Sequence, residues 1–219
     1  MTEWREVDEP KIWVSRFFGG SVQSLSFDWS TQGKKVDYVH AYWRDQILAD
    51  PIDAPEKIFP RRHKEIKSSL KDAFTIVGGI LIISPALRDI LVEFDLGQSQ
   101  LFEVPICADE SGTPSGLPNH YALNVHEPRR TVIIELSDNI ERPISPGRTE
   151  PAPNAKYVPQ RWTEILPARA DSAQGPDLWH DPRILSRFFM SDRLKQAIDA
   201  ADLKVKGLDL YPARVFEEA

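Results

Sequence analysis

Three residues in the middle of the chain have side chains that could bind a metal ion. His120, His126 and Glu127 supply two imidazoles and a carboxylate within one short stretch. Their spacing matches none of the established metal motifs, which place ligands three or four residues apart on a helix or in close cysteine pairs. We therefore expect satisfied or surface histidines, with no bound metal and no cofactor. An enzyme or metal-binding protein that uses these three residues is the alternative.

Acid–base and nucleophilic chemistry have equally little support in the sequence. His180 and Asp181 are adjacent, but neighbours in a turn bounded by proline usually face in different directions. No serine lies in a Gly-x-Ser-x-Gly elbow, and Cys107 has no basic neighbours that would make it a reactive thiolate. The sequence thus predicts no catalytic residue and a protein that is not an enzyme.

Composition and charge narrow the class of protein further. The chain has 219 residues, a net charge of -6 and the apolar and charged fractions of an ordinary folded protein. An acidic chain argues against a nucleic-acid groove and suits a basic or polar partner. Met1–Pro10 lacks the pattern of a secretory signal, and the longest apolar run, Ala73–Ile83, is too short to span a bilayer. These features predict a cytoplasmic protein that does not bind a membrane.

Hydrophobic periodicity predicts a mixture of helices and strands. The predicted strands are Lys11–Phe18, Phe74–Ile83, Leu101–Ala108, Tyr121–His126, Thr131–Leu136, Arg187–Met190 and Leu208–Val215, and the predicted helices are Pro85–Asp95 and Asp192–Ala201. The connection Glu127–Arg130 is short, so the strands on either side of it should pair as an antiparallel hairpin. The expected fold class is α+β, with a mixed or antiparallel sheet.

One part of the sequence repeats. A shift of 107 positions aligns Leu81–Pro105 with Phe188–Pro212 without a gap. The identical pairs are Ser84 with Ser191, Leu87 with Leu194, Asp95 with Asp202, Leu96 with Leu203, Leu101 with Leu208, and Pro105 with Pro212. Serine is a common helix N-cap, and Ser84 and Ser191 each come directly before a predicted helix. We therefore expect two related strand-helix-strand units; coincidence between two amphipathic helices is the alternative.

Proline content and the repeat divide the chain into four segments; one compact domain that contains all four is the alternative. Residues 1–72 hold an N-terminal strand, and Asp50–Pro60 is expected to be a loop because it carries three prolines. Residues 73–136 hold the first unit and the hairpin, and residues 177–219 hold the second unit. Between them, residues 137–176 form a Pro-rich excursion, expected to be a contact surface or a linker.

Several of these stretches resemble a known family. They are Ile82–Leu91, Phe102–Pro105, Tyr121–Asn124, Leu178-Trp179-His180-Asp181-Pro182-Arg183, Arg187–Lys195 and Leu208–Val215. Together they are similar to immunity protein family 11 of bacterial polymorphic toxin systems, over roughly residues 74–215. The resemblance implies a cytoplasmic antidote that binds and neutralises a toxin domain, delivered by neighbouring cells or made by the same cell.

The resemblance does not identify the toxin, but the acidic chain suits a basic one, such as a nuclease. Aromatic and charged side chains predominate in binding hot spots. The candidate partner-binding residues are Trp43, Trp179, His180, Asp181 and Arg183. Self-association of the chain through its aromatic N-terminal strand, giving a homo-oligomer, is the remaining alternative.

Overall fold

The computed structural model describes residues 3–15, 27–30, 54–61, 70–76, 80–138, 140–142, 149–151, 156–159, 165–185, 187–205 and 208–219. These ranges contain fifteen β-strands and two α-helices, which confirms the predicted α+β class. The strands are β1 Trp4–Val7, β2 Ile12–Ser15, β3 Phe27–Ser30, β4 Lys57–Pro60, β5 Ala73–Thr75, β6 Leu81–Ile83, β7 Gln100–Val104, β8 His120–Asn124, β9 Ile140–Glu141, β10 Val158–Pro159, β11 Pro167–Arg169, β12 Leu178–Trp179, β13 Phe189–Ser191, β14 Leu210–Pro212 and β15 Arg214–Glu218. The helices are α1 Pro85–Leu91 and α2 Asp192–Ala200. No helix among the described residues has the length and apolar content that a membrane span requires.

Two four-stranded antiparallel sheets share one strand order. The first sheet has the order β5-β6-β8-β7, and the second has the order β12-β13-β2-β14. In each sheet the chain runs from an edge strand to an inner strand, then through a helix to the opposite edge strand. The inner strand, the helix and the opposite edge strand form a split β-α-β unit, and one further strand lies between its two strands. That inserted strand is β8 in the first sheet, whereas β2 supplies it from the N-terminal part of the chain in the second. Duplication of one unit stays a prediction, as do the four segment boundaries.

Each helix begins at one of the paired serines. The Ser84 hydroxyl accepts a hydrogen bond from the amide of Leu87 at 3.2 Å, and the Ser191 hydroxyl accepts one from the amide of Leu194 at 3.3 Å. These bonds satisfy amides that have no partner inside the helix. Both serines therefore act as the N-caps that the sequence predicts.

An aspartate on the neighbouring chain segment fixes each N-cap. The Ser84 hydroxyl donates to Asp72 Oδ1 at 2.7 Å, and the Ser84 amide donates to the Asp72 carbonyl at 2.9 Å. Ser191 makes the same two bonds to Asp177, at 2.5 and 2.9 Å. The hydroxyl can cap the helix and still donate to a carboxylate, because it carries both a donor and lone pairs.

The same aspartates join the two helical units. Asp72 Oδ2 accepts from the amide of Lys204, in the chain that follows α2, at 2.7 Å. Asp177 Oδ2 accepts from the amide of Asp95, in the chain that follows α1, at 3.1 Å, and the Asp177 amide donates to the Asp95 carbonyl at 2.6 Å. Each aspartate thus binds the start of one helix and the chain beyond the end of the other.

The apolar core consists of three clusters, and a four-stranded sheet separates each cluster from the next. The central cluster lies between the two four-stranded sheets and includes both helices; its members include Leu81, Ile83, Leu87, Leu91, Leu178, Met190, Leu194 and Ile198. The opposite face of the first sheet packs on the β3–β4 hairpin, through residues that include Phe27, Trp29, Ile58, Phe74 and Ile82. The opposite face of the second sheet packs on a third sheet, through residues that include Ile12, Val14, Ala168, Trp179, Phe189 and Val215. Successive strand residues point to opposite clusters, because side chains alternate across a strand.

The third sheet, here the terminal sheet, has the order β1-β15-β11. β1 pairs antiparallel with β15, with Trp4 opposite Glu218, and β11 pairs parallel with β15, with Arg169 opposite Phe216. It therefore brings the two ends of the described chain together with part of the predicted Pro-rich excursion. Ala168 is fully buried, so this part of residues 137–176 belongs to the core.

The predicted hairpin of Tyr121–His126 with Thr131–Leu136 is wrong. β8 pairs with β6 and β7 instead, and Ile134–Leu136 forms a 3-10 turn. The β-branched residues before that turn bind elsewhere, since Val132 bridges Ala168 of the terminal sheet. The short connection and the apolar pattern could not show that these residues have other partners.

Two other predicted strands are each divided. The run Phe74–Ile83 forms the antiparallel pair β5 and β6, which is joined by a hydrogen bond from Ile76 to Ile80. The run Leu208–Val215 forms β14 and β15, which lie in different sheets. The last four residues of the predicted loop Asp50–Pro60 form β4, which pairs with β3. Pro60 is the last residue of this strand, a position where proline is tolerated. Residues 50–53 of this predicted loop lie outside the described residues.

The environment of His120 predicts how stability depends on pH. Burial lowers the pKa of this imidazole from 6.5, against the opposing effects of a hydrogen bond to the Pro118 carbonyl and the charge of Asp72. The unfolded chain therefore binds more protons than the folded chain just below pH 6.5, and the His120 contribution to stability is lost as the pH falls through that window. In His120→Asn, the side-chain amide replaces the imidazole hydrogen bond and cannot titrate. We expect urea unfolding between about pH 7.5 and 5.5 to show a shallower loss of stability in this variant.

Asn119→Ala is the control for this measurement, because Asn119 is an exposed neighbour that does not titrate. It should keep the wild-type dependence on pH. If His120→Asn keeps that dependence as well, His120 is not its source.

Candidate functional site

The segment Asp177–Arg183 contains most of the side chains singled out from the sequence. Asp177, Trp179 and Asp181 are each 0% exposed and Leu178 is 1% exposed, whereas His180 and Arg183 are half-buried. β12 forms its first part and pairs with β13 of the second sheet. The sheet therefore fixes which of these side chains reach the surface.

The Asp181 carboxylate accepts five hydrogen bonds. Its Oδ2 accepts from the amides of Thr131 and Val132, both at 2.9 Å, and from Arg183 Nη2 at 2.8 Å. Its Oδ1 accepts from the Arg183 amide at 2.9 Å and from Arg183 Nε at 3.1 Å. A buried carboxylate needs such compensation for lost hydration. Asp181 therefore holds the chain at residues 131–132 in place and orients Arg183.

Trp179 adds a second link to the same part of the chain. Its indole Nε1 donates to Thr131 Oγ1 at 2.8 Å, and its ring stacks on Phe189 with 6.1 Å between centroids. The N–H of a buried tryptophan usually has a hydrogen-bond partner, and Thr131 is the partner here. Trp179 therefore belongs to the core between the second sheet and the terminal sheet.

The Asp177 carboxylate, which caps the start of α2 through Ser191, also binds an arginine at the surface. Arg193 donates from Nε to Asp177 Oδ1 at 2.5 Å and from Nη2 to Oδ2 at 2.6 Å. The Arg193 guanidinium lies over the ring of Phe94, 5.8 Å from its centroid, and its side chain is 67% exposed. The pair thus presents a fixed guanidinium on a buried carboxylate.

His180 joins this segment to the loop that follows β8. The His180 amide donates to the Glu127 carbonyl at 2.9 Å, and the Arg129 amide donates to the His180 carbonyl at 2.8 Å. The rings of His126 and His180 pack against each other, with 5.5 Å between centroids. Backbone bonds therefore place two imidazoles side by side where three segments meet. Residues 94–98, 126–130 and 174–180 are called here the three-loop surface.

Two glycines allow the loops of this surface to lie close together. Gly97 has φ +57°, and a Cβ there would lie 2.5 Å from the Glu127 carboxylate, which accepts from the Gln98 amide. Gly175 has φ +108°, and a Cβ there would lie 2.6 Å from the Arg129 guanidinium. Both the left-handed conformation and the close contact favour glycine. Glu127 and Arg129 are thereby held in fixed positions at the surface.

The three residues weighed as metal ligands have separate environments. The His120 ring packs on Phe74 and its Nδ1 lies 2.9 Å from the Pro118 carbonyl, whereas the His126 ring packs on His180. Within the part of the chain that the structure describes, no group of three His, Cys, Asp or Glu residues could hold a metal ion. What this site offers chemically is a rigid set of hydrogen-bonding and charged groups.

The structure describes four of the five predicted contact residues. Trp43 lies outside the described residues. The side chains of Trp179 and Asp181 face inward, so in this conformation they position neighbouring groups, whereas His180 and Arg183 reach the surface. Contact of any of the five with a partner stays a prediction. Sequence reasoning missed Arg129 and Arg193, since neither residue carries a local pattern that marks the distant carboxylate or glycine against which it packs.

Comparison with known proteins matches residues 34–215 to the immunity protein family (Imm11). The matched range includes both helices, both four-stranded sheets except β2, and all of the three-loop surface. A search of curated proteins finds no significant match.

Asp181→Asn tests the structural part of this site. The amide keeps the size of the carboxylate but removes its charge, and one of its two terminal atoms cannot accept the bonds made by Thr131, Val132 or Arg183. We expect the free energy of unfolding to fall by about 2–4 kcal/mol, measured by urea denaturation. Glu93→Gln, at an exposed position after α1, is the control and should change stability by less than about 0.5 kcal/mol. Similar stability of the two variants would contradict the role assigned to Asp181.

Proposed function

The chain belongs to the immunity protein family (Imm11), and we propose that it binds and neutralises a cognate toxin by direct protein–protein contact. Family membership points to a role that is not enzymatic. In this proposal the protein is a cytoplasmic antidote of a bacterial polymorphic toxin system. The match over residues 34–215 is the observation that carries the proposal.

The three-loop surface is the proposed place of contact. Its half-buried groups include His126, Arg129 and His180, which are held by backbone bonds and by the contact with Gly175. Arg193 of α2 adjoins this surface through its bonds to Asp177. A surface that is fixed before binding loses little conformational entropy in the complex, so more of the contact energy appears as affinity. Rigidity of this kind suits an inhibitor that must hold its partner tightly.

The contact residues predicted from the sequence have two different roles in this proposal. His180 and Arg183 can contact the partner directly, whereas Trp179 and Asp181 support them from below. Arginine and aromatic side chains often contribute most of the binding energy of an interface, and their supporting residues contribute through positioning. Contact through Trp43 belongs to the same proposal.

The enzyme alternative depended on joint action by His120, His126 and Glu127. Their packing disfavours it, because His120 contacts Phe74 in one core cluster while Glu127 accepts a bond from Gln98 at the surface. Self-association is the other alternative, and it would involve the N-terminal strand. Sedimentation of the purified chain at several concentrations distinguishes a homo-oligomer from a monomer that waits for its partner.

Co-purification with the product of the neighbouring open reading frame tests the proposed function. We expect a one-to-one complex by calorimetry, and protection of cells that express that product. Absence of both the complex and the protection would contradict the proposal for this pair.

A double variant of the three-loop surface, with an arginine control elsewhere, tests the place of contact. Arg130 is an exposed residue of this surface, and Arg130→Ala combined with His180→Ala removes two of its side chains, so we expect affinity to fall at least about tenfold. Arg61→Ala, an exposed arginine after β4, is the control and should bind as the wild type does. Equal binding by all the variants, with unchanged melting temperatures, would exclude the three-loop surface as the contact.

A further inference from the structure

The outer face of the terminal sheet carries an ordered set of aromatic and charged side chains. The alternation of the strands places Val7, Ala168 and Val215 on the inner face, in the core. The residues that point the other way form the outer face, and they are Trp4, Glu6, Pro167, Arg169, Arg214, Phe216 and Glu218. Pro167 and Phe216 are buried, so the other five supply the accessible side chains. Both chain-terminal strands and β11 therefore contribute to one surface.

Arg169 connects the two edges of this sheet. It starts from β11 and places its guanidinium over the Trp4 ring of β1, 5.6 Å from the centroid. The same group donates to Asp171 from Nε at 3.1 Å and from Nη2 at 2.9 Å, and Nη2 lies 3.8 Å from Glu218. The position of the guanidinium is thus set by one ring and two carboxylates.

Arg214 forms a second arrangement of the same kind. Its Nε and Nη2 donate to the two oxygens of Glu6 at 2.9 and 2.7 Å, and its guanidinium lies 5.1 Å from the centroid of the Phe216 ring. The hydrogen bond between them raises the pKa of Arg214 and lowers the pKa of Glu6, so both groups remain charged at neutral pH. Stacking over a ring and two parallel bonds restrict the guanidinium to one orientation.

The charges of this face do not balance. Its carboxylates are Glu6, Asp138, Asp171 and Glu218, and the guanidiniums that act on them are those of Arg129, Arg169 and Arg214, so four negative charges meet three positive ones. Asp138 is exposed, and its charge acts on Arg214. The side chains of Asp171 and Glu218 are 61% and 59% exposed. The lysine and arginine side chains of a partner can therefore pair with these carboxylates.

The face continues into the three-loop surface. Arg129, which packs on Gly175, donates from Nη1 to the Ser172 carbonyl at 2.7 Å. The hydrogen bond from Arg169 lowers the pKa of Asp171, and the charge of Arg129 makes a smaller contribution in the same direction. Asp171 in turn holds Arg169. One partner can therefore contact both surfaces without crossing an unrelated part of the molecule.

We propose that the outer face of the terminal sheet is part of the toxin-binding surface, and that it takes a basic segment of the partner whose lysine or arginine side chains pair with Asp138, Asp171 and Glu218. This assignment rests on the proposed function, since it gives a surface and a charge class to the same partner. The two stacked arginines and the Trp4 ring form the rigid platform, and the carboxylates select the charge. Fixed opposite charges speed association and make it sensitive to salt.

Charge reversal on this face tests the proposal, with the product of the neighbouring open reading frame as the probe. Asp138→Lys combined with Glu218→Lys should weaken binding to the full-length chain at least about tenfold at low salt, mainly through slower association. The loss should shrink as the salt concentration rises, because screening weakens the interaction. Glu56→Lys combined with Glu110→Lys makes the same change of charge at two exposed positions, before β4 and in the loop that follows β7, and it should bind as the wild type does. Glu218→Gln is the milder variant if the double reversal fails to fold.

The outcomes separate the two claims. Weaker, salt-dependent binding by the face variants alone supports the assignment. If the wild type and all the variants bind equally well, the assignment is overturned while the proposed function stands. If the wild-type chain does not bind the probe at all, the proposed function fails for that pair and the assignment fails with it.

Discussion

Two carboxylates inside the protein, those of Asp177 and Asp181, bind parts of the chain that are far apart in the sequence. Asp177 joins the start of α2 to the chain beyond α1, and Asp181 joins the second sheet to residues 131–132 beside the terminal sheet. Only four positions separate them, so one short segment connects three layers of the fold. A buried carboxylate is costly without partners, and the hydrogen bonds around each compensate for its lost hydration.

The surface depends on the same two carboxylates. Each presents an arginine outward: Arg193 lies on Asp177, and Arg183 lies on Asp181. The backbone between the two aspartates places His180 beside His126. The contacts that stabilise the fold therefore also position the side chains proposed to meet the partner. Arg169 and Arg214 follow the same pattern on the terminal sheet, where a carboxylate and an aromatic ring hold each guanidinium.

Local chemistry made some elements predictable from the sequence. Ser84 and Ser191 mark the starts of both helices, because capping depends on residues within one turn. Strand pairing was less accessible, because it is decided by partners elsewhere in the chain. The β-branched run at Thr131 resembles a hairpin strand, yet its amides bind Asp181, fifty residues away. Likewise, Trp179 has the residue type of an interface anchor, yet it is 0% exposed and its indole N–H donates to Thr131 in the core. No local sequence pattern indicates that β2 lies between β13 and β14 in the second sheet.

Hydrogen–deuterium exchange of the chain, free and mixed with the product of the neighbouring open reading frame, tests most directly the claim that one continuous surface binds the partner. The account predicts slower exchange of backbone amides in Trp4–Val7, in residues 126–130 and in residues 170–175 of the mixture. Amides of the loop at residues 109–116, in a different part of the fold, should exchange at the same rate in both samples. Protection confined to that loop or to the β3–β4 hairpin, with no change in the three predicted segments, would contradict the account.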